Sequence, residues 1–162
     1  MSLIELSEWL YNTPVSQFIQ KTPGVIPAVQ SIHIVSISIL LGSSIVLYLK
    51  IAGIIARTDS SAAVFDRYMP WIWWALLALL LTGLLMVIGE PERVLTNSIF
   101  LTKMALIAAA VTIALTIRAF IMRTDDKYQS GARSLFIKAL GIIAIAIWIF
   151  IIFCGRWIAY AI

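Results

Sequence analysis

Apolar residues run through this chain in four blocks, each broken off by charge or by proline and glycine. The blocks cover about residues 25–49, 71–88, 100–122 and 134–159. A helix rises about 1.5 Å per residue, so about 20 apolar residues cross the hydrocarbon of a bilayer. Each block therefore predicts a membrane-spanning helix. The connections are about 10 to 20 residues long, which makes consecutive helices antiparallel neighbours.

Ahead of the first block the pattern changes. Residues 3–12 place Leu3, Leu6 and Leu10 near one helical face and Glu5 and Glu8 off it. Trp9 and Tyr11 suit a lipid–water interface. Thr13-Pro14 reads as an N-cap followed by proline at the first helical position. A second short helix over about 14–21 then stops at Pro23-Gly24. The opening MSLIELSEWL contains Glu5 and Glu8 and no base before Lys21, unlike the basic start of a signal peptide. The first span is thus expected to insert without cleavage. The expected fold is all-α: a single-domain, polytopic membrane four-helix bundle with a short N-terminal interfacial helix.

Composition sharpens the picture. The 162 residues are 62% hydrophobic and only 12% charged, with a mean hydropathy of +1.00. Soluble domains carry about 25% charged residues. The net charge is +4, but the bases flank the apolar blocks. Eight of them (Lys50, Arg57, Arg67, Arg118, Arg123, Lys127, Arg133 and Lys138) fall beside the loops after spans one and three. Four (Lys21, Arg93, Lys103 and Arg156) fall toward the other side. The positive-inside rule makes the richer side cytoplasmic, with both termini and the 89–99 loop outside. In a bacterium this means the inner membrane, with periplasmic termini. No basic–aromatic platform for nucleic acid and no phosphate-cradling glycine loop is visible. The single cysteine, Cys154, excludes an intrachain disulfide.

The candidate chemistry is sparse. His33, the one histidine, lies about eight residues into span one, roughly 12 Å deep by helix rise. Ionisable groups within spans usually face the bundle interior and mark function. Gln30, Ser36, Leu40 and Ser44 fall within about 60° of His33 at 100° per residue. Ser31, Ser38 and Gly42 form an opposite side small enough for close helix contact. Such an imidazole suits a haem or metal ligand, a proton carrier or a quinone hydrogen-bond partner. It also suits a plain hydrogen bond to a neighbouring helix.

Lys103 and Arg156 lie near the outer ends of spans three and four. Each reads either as an interface anchor or as a cation aimed at an anionic ligand. Glu90 and Glu92 form an acidic cluster between spans two and three. Met86, Met104 and Cys154 are soft-sulfur residues near the same surface and, with His33, define a candidate Cu(I) set. One histidine cannot supply a bis-histidine haem within one chain, which leaves His–Met ligation or sharing between protomers. Asp59, Asp66, Asp125 and Asp126 lie in the cytoplasmic loops. The lack of an acid within a span argues against a conventional proton-coupled transporter.

Three stretches carry a family resemblance: VIPAVQSIHIVSISILLGS, GLLMVIGEPERVLTNSIFLTKM and CGRWIAY. They resemble a family of small bacterial four-span membrane proteins of unknown function, over nearly the whole chain. More distantly, the chain is similar to copper-resistance D membrane proteins and to di-haem b-type cytochromes of the ascorbate-reducible type. That likeness implies electron transfer or copper handling through histidines on several helices, whereas spans two to four here contain no histidine.

The leading expectation is an accessory or anchor subunit of a periplasmic-side redox system, without activity of its own, that engages quinone or haem b in the outer leaflet. Its ligand-binding residues would be His33, Gln30, Ser36, Lys103 and Arg156. Its partners would be the bilayer, a membrane or periplasmic redox protein, and a second copy of itself. A copper or small-solute permease using His33, Met86, Met104 and Cys154 is the alternative. A further alternative is a ligand-free assembly partner that packs through Ser31, Ser38 and Gly42.

Overall fold

The computed structural model describes residues 2–55, 58–122 and 131–158. It holds seven helices among them: α1 Leu3–Tyr11, α2 Pro14–Lys21, α3 Val25–Ile51, α4 Ser61–Gly89, α5 Pro91–Leu95, α6 Ser98–Met122 and α7 Ala132–Trp157. Helices α3, α4, α6 and α7 are long and apolar enough to cross a membrane. They form a four-helix bundle. α3 packs along α4, α6 packs along α7, and α3 also packs on α7. α4 and α6 touch only sparingly, so that seam is the loosest of the ring.

Local chemistry sets the ends of these helices. Ser2 and Glu5 form a reciprocal capping box at α1, through bonds of 2.9 and 3.2 Å. Thr13 accepts from the Ser16 amide and Pro14 opens α2. Gly24, at φ 91°, lets the chain turn from α2 into α3 without strain. Ser60 caps α4 by accepting from Ala63.

The second helix differs from the expected apolar span. It starts at Ser61 and carries Pro70 within it, whereas the apolar run begins at Trp71. Proline removes one helical hydrogen bond and still fits where water or neighbouring groups satisfy the freed carbonyl. Exposed Trp71, Trp73 and Trp74 mark the boundary, with Asp66 and Arg67 beyond it. From Trp71 to Gly89 the helix is about 28 Å long, close to the hydrocarbon thickness. Residues 61–70 therefore extend the span past the apolar layer. The 89–99 connection also holds a short helix, α5, opened by Pro91 at its first turn.

Two different interiors lie along the bundle. The apolar core occupies the half nearer the α3–α4 and α6–α7 loops. Leu40, Leu47, Phe65, Met69, Ile72, Ile117 and Ile137 are all buried there, and Trp148 and Ile151 carry the same core past the middle of α7. Tyr48 lies against Gly141, where an added Cβ would stand 2.7 Å from the ring. At the other end, α1, α2 and α5 form a cap. α1 packs on α5, and α2 packs on α4. The Ser16 hydroxyl donates to the Ile88 carbonyl at 2.6 Å, satisfying one of the last carbonyls of α4. Gln20 donates in turn to Ser16 at 2.9 Å. Gly89 lets Ile19 and Ile26 close in, each 3.0 Å from where its Cβ would be. The outward surfaces of the long helices are lined by large apolar side chains such as Ile34, Val35, Leu80, Leu81 and Phe153. In water such a surface would be an aggregation hazard, whereas in a bilayer it meets its natural solvent.

Candidate functional site

The polar groups within the spans gather in the capped half. His33 stands eight residues into α3, Thr82 seven residues before the end of α4, and Lys103 five residues into α6. Cys154 and Gly155 occupy the last turn of α7. By helix rise all lie within roughly 3–12 Å of the capped ends of their helices. Because those helices alternate in direction, four separate stretches of sequence reach one level.

His33 Nδ1 lies 2.7 Å from Thr82 Oγ1, linking α3 to α4. The same hydroxyl lies 2.6 Å from the Ala78 carbonyl and 3.3 Å from that of Leu79. A hydroxyl has one hydrogen and a carbonyl has none to give. At 2.6 Å the proton must lie between Thr82 and Ala78, or two lone pairs would face each other. Thr82 thus accepts from His33, and the imidazole carries its proton on Nδ1. Nε2 then presents a lone pair, with no hydrogen-bond partner among the described residues.

Lys103 reaches inward from α6 toward α7. Its ammonium lies 3.3 Å from where a Cβ on Gly155 would be, so the bare glycine makes room for it. It lies near His33 and the buried Cys154 sulfur. Among the described residues the ammonium donates no hydrogen bond. A donor and an acceptor thus stand in the same capped half of the bundle, each with bonding capacity left over among the described residues.

The other sequence candidates are placed differently. Ser36 is buried but bonds its own helix at Ile32, 2.8 Å away. Gln30 and Arg156 are exposed. Met86 is half-buried, while Met104 is 45% exposed and turns away from the interior that Lys103 enters. No cluster of three histidine, cysteine or acidic side chains suited to a metal occurs among the described residues. Ser31, Ser38 and Gly42 lie on the exposed face of α3, and a Cβ on Gly42 would touch nothing within 4 Å. Glu90 pairs with Arg93 at 2.7 Å on the surface. Both line a groove of about 890 Å³ in the cap, together with Tyr11, Gln20 and Asn97. Ile26 and Ile99 form its inner edge, about two turns above His33 and one above Lys103.

Thr82 and Gly155 did not stand out from sequence. Thr82 is the only hydroxyl residue between Trp71 and Ile88, which is the one signal that could have marked it. Gly155 precedes Arg156, the more conspicuous residue of that turn.

The fold and site define a four-span α-helical membrane protein with a pair of ionisable side chains in the capped half of an apolar bundle. The chain belongs to the family of unknown function DUF6644, whose family model matches residues 6–161. No curated protein and no solved structure matches it. The more distant likeness to copper-resistance D proteins and b-type cytochromes therefore has no support from these comparisons.

Proposed function

We propose that this protein binds the head group of a membrane quinone between His33 and Lys103, as an accessory or anchor subunit of a redox system on the outer side of a bacterial inner membrane. The observation that carries this reading is the pairing of an ammonium and a ring nitrogen, neither with a hydrogen-bond partner among the described residues, in the same half of the bundle. A quinone head is flat and apolar, with oxygens that need a donor or an acceptor. Its prenyl tail belongs among lipid chains. The α4–α6 seam, where the helices touch only sparingly, is where this reading places the tail's entry from lipid. The eight bases beside the α3–α4 and α6–α7 loops, against four toward the cap, favour a capped end facing outward.

Haem b is the second reading. Metal-binding imidazoles commonly fix Nδ1–H through a second group and offer Nε2, as His33 does. A copper site is less well served, because Met104 would have to turn inward from an exposed position.

The test is to purify the full chain from membranes in mild detergent, extract it and quantify prenyl quinone per protein, with an optical spectrum of the same sample. Wild type is expected to carry quinone, and His33→Ala and Lys103→Met are each expected to lose most of it. A Soret band that vanishes in His33→Ala would favour haem. Wild type with neither ligand would end the reading.

A further inference from the structure

Thr82 limits what His33 can offer. Its hydrogen is committed to Ala78 at 2.6 Å, so its oxygen can only accept the imidazole N–H at 2.7 Å. The ring nitrogen left for a ligand is an acceptor. Lys103, by contrast, can only donate.

We propose that this site takes the hydroxyl-bearing, reduced form of its ligand, a hydroquinone, in preference to the quinone, and that Thr82 sets this choice by fixing the His33 tautomer. The inference rests on the quinone reading above. A hydroquinone carries both partners the site lacks: an O–H to donate to Nε2 and oxygen lone pairs to accept from Lys103. A quinone presents only acceptors. Lys103 can satisfy one of its carbonyls, but Nε2 then faces a second lone pair or stays unpaired in apolar surroundings, which is costly. The ring could serve a quinone by moving its proton to Nε2. Nδ1 would then face the Thr82 oxygen with no proton between them, unless Thr82 gave up its bond to Ala78. The helix hydrogen bond of Thr82 therefore holds the tautomer in place.

Thr82 is a positioning residue in this scheme. The expected preference is about tenfold or more for the reduced form, the size of effect that leaving one buried polar group unpaired produces. A tenfold preference raises the two-electron potential of the bound couple by about 30 mV.

The experiment uses the full chain in lipid nanodiscs under anaerobic conditions. A decyl-chain benzoquinone and its hydroquinone are titrated separately, with tryptophan quenching as readout and empty nanodiscs as control. Wild type and Thr82→Ser, which keeps the hydroxyl, are expected to bind the hydroquinone at least tenfold more tightly. Thr82→Val removes the acceptor that fixes the ring, and its ratio is expected to fall to within about threefold of unity. Equal affinities in wild type, or an unchanged ratio in Thr82→Val, would overturn the inference while leaving the binding site standing. No binding of either form by wild type would overturn both.

Discussion

Two uncharged residues decide how the two ionisable ones are presented. Thr82 orients the imidazole, and Gly155 leaves the space into which Lys103 extends. The glycine is directly testable. A Cβ there would come within 3.3 Å of Nζ and 3.8 Å of Cε, both at the end of a flexible chain that can move aside. Gly155→Leu is therefore expected to cost the fold little while it displaces the ammonium. Hydroquinone affinity should fall by about tenfold, since a hydrogen bond from a charged donor contributes roughly 1.5–3 kcal/mol. Thermal unfolding and titration of the same sample check this, and unchanged affinity would show that Lys103 does not need that space. His33 and Lys103 were legible in sequence because ionisable groups are conspicuous in apolar runs. Thr82 and Gly155 were not, because their roles depend on which turn of a neighbouring helix faces them, and helix register leaves no trace in the spacing of one chain.

The helices themselves were read from sequence wherever hydrophobicity or capping chemistry was explicit. The Thr13-Pro14 start of α2 is such a case. Helix α4 extends ten residues further than its apolar run, because hydropathy marks where lipid begins and Ser60 marks where the helix begins. Pro70 lies within it, ahead of the apolar run. Helix α5 falls within the expected 89–99 loop, since five residues give no periodicity to detect. Packing between elements is equally uneven. The Tyr48 ring fills the place of a Gly141 side chain, so Gly141→Ala must push α3 and α7 apart or turn the ring. Overpacking of this kind costs about 1–3 kcal/mol. Gly42 faces open space, and Gly42→Ala should be neutral or slightly stabilising through better helix propensity. Unfolding midpoints of both variants in one detergent would compare them. A matching loss at Gly42 would mean that the exposed face of α3 is covered by another copy or partner.

Across the whole molecule, apolar packing and polar chemistry are separated along the bundle axis. The half beside the long loops holds the buried leucine, isoleucine and aromatic core. The half beneath the cap holds His33, Thr82 and Lys103 and is closed over by α1, α2 and α5, with Ser16 tying α2 to α4. Sequence placed the ionisable pair at one depth, because helix lengths and alternating direction fix depth. The cap escaped it, because docking of α1 on α5 depends on contacts between segments some 80 residues apart. On the quinone reading proposed above, this division assigns stability to one half and ligand chemistry to the other. It makes the state of one imidazole the centre of the account. Since His33 is the only histidine, nitrogen NMR of histidine-labelled protein in bilayers observes that ring alone. The expected spectrum shows a neutral ring protonated on Nδ1, whose Nε2 signal moves when hydroquinone is added while Nδ1 stays put. A ring protonated on Nε2, or an Nε2 signal unmoved by saturating hydroquinone, would contradict it.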